Sequence, residues 1–396
     1  MRPTTRALHS SIDDRDAAPS VLPLYQNSAF QAHSPYFYTR KNNPNVASFE
    51  QVVATLEGAR HAVAVSTGMA AISSVLTLLA PGDTVVLNQL VYGCSFKLFQ
   101  RVAKRLGLDL RIVSLSSKQQ IEKLPPKTRM VFFETPTNPF LRTVDVGAVA
   151  RQAKATNPEA LVVVDNTWAT PLYQHPLELG ADISLHSATK YLSGHSDVMG
   201  GIVLTDRADL EEELRASRFY YGAVMDPHSA WLLCRSMQTF GIRMEAHHQT
   251  TLRMVEFLRK RPEVRHVYYP EVDGHQLKRY GTLVFFDLRE DLVEHYPTFA
   301  KSLELFSTGT GMAAVTSMVA QPYSGSHASM TPEEKAEMGL GPGLVRLSFG
   351  LEDPEDLKAD LARAFEVVEQ ARAAAAGGGG SRLGNRSAAP DGKGPM

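Results

Sequence analysis

The segment Ser187-Ala188-Thr189-Lys190-Tyr191-Leu192-Ser193-Gly194-His195 combines residue types with a specific chemistry. Lys190 follows the apolar run Ile183–Leu185 and is flanked by two hydroxyl residues. A lysine that is desolvated or set beside a cation has a lowered pKa and becomes a nucleophilic amine suited to Schiff-base formation. Ser187 and Thr189 supply hydroxyls able to bind a phosphate. Taken alone, the segment reads equally well as one with a solvated surface lysine.

A second segment shifts that balance. The run Leu161-Val162-Val163-Val164 ends in Asp165, followed by Asn166-Thr167. An aspartate at a strand's carboxyl end points into a ligand crevice and can keep a ring nitrogen protonated. An isolated Asp more often caps a helix or turn. The pairing of Asp165 with Lys190, each just past an apolar strand, favours a cofactor site. A third segment, Ala62-Val63-Ala64-Val65-Ser66-Thr67-Gly68-Met69, reads as strand, glycine turn and helix start. Free N–H groups and the positive end of the helix dipole make an anion site there.

Competing chemistries fit poorly. No Gly-Lys-Ser/Thr ending and no GxGxxG turn is present, which disfavours nucleotide-driven and nicotinamide reactions. The set His186, His195 and Asp197 matches no standard zinc spacing, so no metal site is expected. A serine-hydrolase elbow, Gly-x-Ser-x-Gly, is absent.

The elements needed to position these residues are visible as alternating patterns. Ala62–Val65, Thr84–Leu87, Arg129–Phe133, Leu161–Val164, Ile183–Leu185 and Gly201–Leu204 read as buried strands. Helical stretches lie among them: Met69–Leu79, Phe96–Arg105, Val146–Ala155 and Leu210–Ala216. The alternation predicts an α/β domain with a mostly parallel sheet covered on both faces. Before it, Val46, Phe49, Val52, Val53 and Leu56 predict a helix capped by Asn45 and stopped by Gly58. The first 45 residues read as an extended arm with one short helix. A long helix over Ala230–Leu258 leads to strands Thr282–Asp287 and Leu344–Phe349 and helices Val293–Leu305 and Pro354–Ala373, a smaller α+β domain. The final stretch, with Gly377–Gly380, has a flexible-linker composition.

Composition bounds the class. The chain has 396 residues, 43% apolar and 21% charged, enough for two domains with sizeable cores. Lys and Arg number 41 against 42 Asp and Glu, so no positive excess is offered to a nucleic acid. Cys94 and Cys234 cannot build a disulfide framework, and their scarcity suits a reducing cytoplasm. The polar N-terminus lacks a signal-peptide pattern, and no run reaches the ~18 apolar residues of a membrane span. A cytoplasmic protein without membrane or nucleic-acid partners is expected.

One known family carries these segments in this order. The set is Tyr38-Thr39-Arg40-Lys41-Asn42-Asn43-Pro44, Ser66-Thr67-Gly68-Met69-Ala70-Ala71, Val91-Tyr92-Gly93, Glu134-Thr135-Pro136-Thr137-Asn138-Pro139, Val164-Asp165-Asn166-Thr167, Ser187-Ala188-Thr189-Lys190-Tyr191 and Leu344-Val345-Arg346-Leu347-Ser348. Across roughly residues 20 to 370 the chain resembles the pyridoxal-phosphate (PLP) enzymes of cysteine and methionine metabolism. That family contains cystathionine γ-synthase, cystathionine γ-lyase and methionine γ-lyase.

The resemblance implies PLP fold type I, the aspartate-aminotransferase-like α/β architecture with a mostly parallel central sheet and a smaller C-terminal α+β domain. It implies an arm at 1–45 that serves a neighbouring subunit, a PLP-binding domain at 46–245, a C-terminal domain at 246–373 and a Gly-rich tail at 374–396. By the same resemblance Lys190 forms the Schiff base with pyridoxal 5'-phosphate and shuttles protons, and Asp165 pairs with the pyridinium nitrogen. Tyr92 stacks on the ring and serves as acid or base near the leaving group. Gly68, Met69, Ser187 and Thr189 hold the phosphate, with Tyr38 and Arg40 reaching it from the neighbouring subunit. A homodimer with shared sites follows, and a tetramer is usual for the family. Arg346, Ser317 and Asn138 are implied to hold the α-carboxylate of a small amino-acid substrate, Arg346 through a bidentate pair.

Departures from the family pattern bear on the substrate. Members that accept cystathionine tend to place acids near its distal ammonium. Here the position before Tyr38 is Phe37, and the usual Gly-Gly-x-Glu-Ser segment is Ala313-Ala314-Val315-Thr316-Ser317, so Thr316 replaces the second acid. A buried ammonium without a partner costs several kcal/mol, which predicts a poor cystathionine substrate. Cys94 after Tyr92-Gly93 resembles methionine γ-lyase, or is simply a small buried hydrophobe. Arg218-Phe219-Tyr220-Tyr221 before Gly222-Ala223 lacks the lysine–aspartate pair of that enzyme. Lys97 either meets an anionic tail or leaving group, or is a solvated helix lysine. The expected reaction is methionine γ-lyase-like γ-elimination from an L-amino acid with a leaving group at Cγ. The alternatives are γ-replacement, of the cystathionine γ-synthase or O-acylhomoserine sulfhydrylase kind, and chemistry on a specialised substrate such as a γ-halogenated amino acid. A non-catalytic relative using the fold for binding would not need Lys190, Asp165, Tyr92 and Arg346 together.

Overall fold

Short apolar runs set between helices form two sheets in the computed structural model, which describes residues 2–9 and 19–378. The central sheet contains β1 (His61–Val65), β2 (Thr84–Asn88), β3 (Asp109–Val113), β4 (Thr128–Glu134), β5 (Leu161–Asp165), β6 (Ile183–Ser187) and β7 (Gly201–Thr205). Its order is β1-β7-β6-β5-β4-β2-β3. Strands β2 to β6 run parallel, and β7 lies antiparallel to both β6 and β1. Helices cover both faces, so β4 and β5 show no polar alternation: Val131, Phe132, Phe133, Val162, Val163 and Val164 are all fully buried. Burying each such side chain contributes ~1.5–3 kcal/mol. The register aligns Phe133 with Val164 and Glu134 with Asp165, so the carboxyl ends of neighbouring strands open at one level.

The second sheet, order β10-β11-β12-β9-β8, contains β8 (Val264–Tyr268), β9 (Leu283–Leu288), β10 (Ser307–Thr308), β11 (Met318–Ala320) and β12 (Leu344–Ser348). Phe286, Phe299, Phe365 and Leu361 form a separate core between this sheet and the helix Pro354–Gly378. No helix among the described residues is long and apolar enough to cross a membrane.

Several boundaries differ from the sequence reading. The helix Pro44–Glu57 is capped by Asn43, whose side chain accepts from Asn45 N at 2.9 Å, with Pro44 in its first turn. Asn45 instead ties down the N-terminal arm, accepting from Tyr25 N and donating to Pro23 O, each at 2.8 Å. The expected long helix is two, Pro227–Met237 and Phe240–Arg259, interrupted at Gln238-Thr239. The segment expected as Val293–Leu305 is a 3₁₀ turn, Glu290–His295, followed by a short helix, Tyr296–Ser302. The closing helix continues to Gly378, past the expected start of the tail. The rest of that tail, 379–396, lies outside the described residues.

Candidate active site

Strands β4, β5 and β6 end in, or immediately before, the groups that build the site. Asp165 closes β5. Its Oδ1 accepts from Thr167 N at 3.0 Å and from Thr167 Oγ1 at 2.5 Å. Burial raises the Asp165 pKa, while the two Thr167 bonds and nearby His186 act against that rise. His186 is held by Glu57 at 2.5 Å. Lys190 sits in the turn after β6, its N–H donating to Ser187 O at 3.2 Å. Desolvation first, and Arg346 second, lower its ammonium pKa to about 8. Thr189 braces this turn, its Oγ1 accepting from Gly200 N at 3.0 Å.

Across the crevice, Tyr92 precedes the helix Gly93–Leu106. Its phenol is pushed up to about 12, by burial first, then by contact with Cys94 and the charge of Glu134, with Arg346 opposing. Glu134 Oε1 accepts from Tyr92 N at 2.6 Å. The segment Gly325–Ser329 closes over this turn. A β-carbon on Gly93 would lie 2.6 Å from Ser326 O, so only glycine permits the approach. His327 Nε2, 3.3 Å from Val91 O, fastens the same segment.

These elements enclose a cavity of about 700 Å³. Of the predicted residues, Lys190, Tyr92 and Asp165 line it, with Gly68, Met69, Ser187 and Thr189 on one side and Asn138 and Cys94 on another. Others lie elsewhere. Lys97 is paired with Glu334 at 2.6 Å and is not among the residues lining the cavity. Ser317 Oγ donates to Glu352 Oε2 at 2.8 Å and accepts from Gly350 N at 2.9 Å, so that hydroxyl is engaged away from the cavity. Thr316 is exposed and outside the lining. Arg346, on β12, is buried; its Nη2 donates to Gly311 O at 2.9 Å and Thr310 O at 3.3 Å, while its Nε has no partner. Tyr38 and Arg40 do not reach their own subunit's cavity: Arg40 Nη1 donates to Phe219 O at 2.7 Å, with the Phe219 ring centroid 4.2 Å away.

Sequence reasoning assigned no role to Glu134, Thr167, Trp168, Met199, Met312 or the 325–329 segment, all of which line the cavity or support it. Glu134 lay inside a quoted segment, and its position at a strand end is the signal that could have marked it. The small-residue run Ser324-Gly325-Ser326-His327-Ala328-Ser329 precedes the capping box Thr331-x-x-Glu334, which marks a tight loop entering a helix.

The donor set fits PLP. A β-carbon on Gly68 would sit 2.7 Å from Ser187 Cβ, so the start of the helix Gly68–Leu76 is pressed against the end of β6. Thr67 caps that helix through Ala70 N, and a helix start set beside Ser187 and Thr189 on the cavity wall suits a dianionic phosphate. The Asp165 carboxylate suits a protonated ring nitrogen, and Lys190 lines the same cavity. Fold and donor set together define a PLP-dependent enzyme of fold type I.

The comparisons narrow the class. Residues 4–366 match the model of the Cys/Met metabolism PLP-dependent enzyme family, and this chain belongs to that family. It is 40% identical over 384 residues to a cystathionine γ-lyase of Bacillus subtilis, covering 93% of this chain and all of that one. It is 39% identical to an L-methionine γ-lyase of Fusobacterium nucleatum, covering 92% of this chain and 98% of that one. The crystal structure of cystathionine γ-synthase from Xanthomonas oryzae in complex with cystathionine superposes with a TM-score of 0.89 at 35% identity, covering 93% and 99% of the two chains. The chain is thus a PLP-dependent lyase-family enzyme of γ-elimination or γ-replacement chemistry.

Proposed function

We propose that the chain catalyses γ-elimination from an L-amino acid with an uncharged group beyond Cγ, with methionine as the reference substrate. The observation that carries the reading is the character of the cavity lining. Its carboxylates, Glu134 and Asp165, both sit at strand ends, whereas Cys94, Trp168, Met199 and Met312 supply thiol, aromatic and thioether surface. A thioether tail loses little on entering such surroundings, while a distal ammonium loses its hydration without gaining a partner. Phe37 and Thr316, at the two positions where acids were sought, are both exposed.

Bound PLP supplies the electron sink that permits carbanion character at Cα and then at Cβ. Lys190 Nζ, with its pKa near 8, is neutral in a useful fraction at neutral pH and accepts the Cα proton. Tyr92 Oη keeps its proton at neutral pH and is the candidate donor to the departing sulfur. Arg346 and Asn138 orient the carboxylate, which sets the Cα–H bond perpendicular to the ring. Arg346 must exchange its bonds to the 310 and 311 carbonyls for that contact. Tyr38 and Arg40 are read as serving the phosphate of a second copy, which makes the working unit at least a dimer.

The deciding experiment is product analysis of PLP-loaded protein given L-methionine or L-cystathionine. Methionine plus water should yield methanethiol, ammonia and 2-oxobutanoate, with cystathionine turned over far more slowly. Equal turnover of cystathionine would overturn the reading. The likeness to a synthase structure favours γ-replacement as the second reading. A homoserine ester given with cysteine tests it: a thioether product without release of ammonia identifies replacement.

A further inference from the structure

Glu134 and Asp165 are register partners at the ends of adjacent parallel strands; Glu134 is buried, and Asp165 is half-buried on the cavity wall. Two carboxyls on neighbouring strand ends resist ionising together, because burial penalises each charge and each repels the other. Their hydrogen bonds decide which one holds the proton. Asp165 accepts two bonds from Thr167 and faces His186, all of which stabilise its anion. Glu134 accepts one bond, from Tyr92 N, through Oε1; its buried Oε2 has no partner. An oxygen without a donor is the natural place for a proton.

We propose that Glu134 is a positioning residue that stays protonated at neutral pH, leaving Asp165 as the sole anion at the strand ends while its carbonyl oxygen fixes Tyr92. The inference rests on reading Asp165 as the partner of the ring nitrogen. A second anion beside Asp165 would compete for the same cation and draw Asp165 toward protonation. The groups acting on Glu134 are Asp165 on β5 and Tyr92 on the β2 side. Behind Asp165 stand His186 and Glu57, and beyond Tyr92 stand Cys94 and Arg346. Desolvation and the charge of Asp165 both push the Glu134 pKa well up, in agreement with the geometry.

The charge-neutral isostere Glu134→Gln preserves the acceptor for Tyr92 N and removes only the proton site. PLP-free wild type at neutral pH should show the infrared carbonyl band of a protonated carboxylic acid, and Glu134→Gln should lack it. The PLP dissociation constant of Glu134→Gln should stay within about threefold of wild type, whereas Glu134→Ala, which orphans the Tyr92 N–H, should weaken binding by about tenfold or more. Circular dichroism and melting of each variant establish that it folds. An identical infrared spectrum in wild type and Glu134→Gln would overturn the proposal. So would Glu134→Gln losing PLP as severely as Glu134→Ala, or Glu134→Ala retaining it like wild type. Asp165→Asn separates the two readings: normal PLP binding in that variant refutes the role of Asp165, while the band compared between wild type and Glu134→Gln, both with Asp165 intact, still reports on Glu134.

Discussion

Lys97 Nζ lies 2.6 Å from Glu334 Oε2, joining the helix Gly93–Leu106 to the short helix Pro332–Glu337 outside the active-site cavity. Gln100 Nε2 adds a bond to the same carboxylate at 3.0 Å. The contact makes Lys97 a clasp on the chain that follows the 325–329 segment, which supports a structural role over reception of an anionic tail. Because the pair is partly exposed, its net stabilisation is ~0.2–1 kcal/mol and weakens with salt. Lys97→Ala should therefore lower the melting temperature slightly at low salt and leave kcat/KM for methionine within about twofold. A tenfold loss in kcat/KM with unchanged stability would return Lys97 to the substrate.

That clasp shows where sequence reading reaches its limit. Lys97 and Glu334 are 237 positions apart, and Ser317 and Glu352 are 35 apart, so neither pairing leaves a trace in local spacing. Asp165 and Lys190 were legible because each directly follows a run buried on both faces, and strand ends are where ligands gather in such sheets. The break at Gln238-Thr239 was not legible, since neither residue is a helix breaker, Gly241 falls inside the second helix and apolar residues continue on both sides. Strand β3 escaped because its residues are half-exposed at the sheet edge and alternate with charge in Asp109-Leu110-Arg111.

Lys190 gives a pH prediction. Its folded pKa, lowered to about 8 by burial and Arg346, lies below the ordinary lysine value of 10.5. Between those pH values the unfolded chain binds more protons than the folded one, so this group makes the PLP-free fold more stable as pH rises from about 8 to about 10.5. Lys190→Ala should remove that gain, which urea midpoints across the range will show. PLP uptake by the wild-type apoprotein should accelerate with an apparent pKa near 8. Turnover in Lys190→Ala should fall by at least ~10³-fold, as loss of a general base and covalent anchor requires.

Arg40 tests the shared site. Within its own subunit it rests on Phe219 and is exposed, so its removal should barely alter subunit folding. If the side chain serves a second copy's phosphate, Arg40→Ala should weaken PLP retention by ~10-fold or more, as loss of charge-assisted bonds implies. Dialysis followed by cofactor absorbance reads this directly. Retention equal to wild type would separate Arg40 from the cofactor.

Arg346 is buried with one nitrogen unpartnered, and burial moves its pKa to about 10, which still leaves it charged at neutral pH. Charge-assisted bonds to a carboxylate contribute ~1.5–3 kcal/mol each, so Arg346→Ala should lower kcat/KM by ~10–10²-fold or more. A methionine ester, lacking the carboxylate charge, should show a much smaller difference between wild type and variant. An equal loss for both substrates would assign Arg346 to holding the 310–311 carbonyls.

Ala313 and Ala314 stand where the family resemblance places two glycines, and only Ala313 adopts a left-handed backbone, with φ of 62°. Both are buried, and Ala313 N donates to Ser348 Oγ at 2.8 Å, which fixes the conformation. Replacing a buried alanine by glycine loses a methyl group, ~0.8 kcal/mol, and adds ~0.4–1 kcal/mol of unfolded-chain entropy. At Ala313 those losses are offset by relief of ~1–2 kcal/mol of left-handed strain, which Ala314 does not carry. Ala313→Gly should thus be close to neutral, and Ala314→Gly destabilising by ~1–2 kcal/mol, a difference that paired urea midpoints resolve. Equal destabilisation would mean that the turn at Ala313 relaxes elsewhere at no cost, and that the alanine there bears no strain.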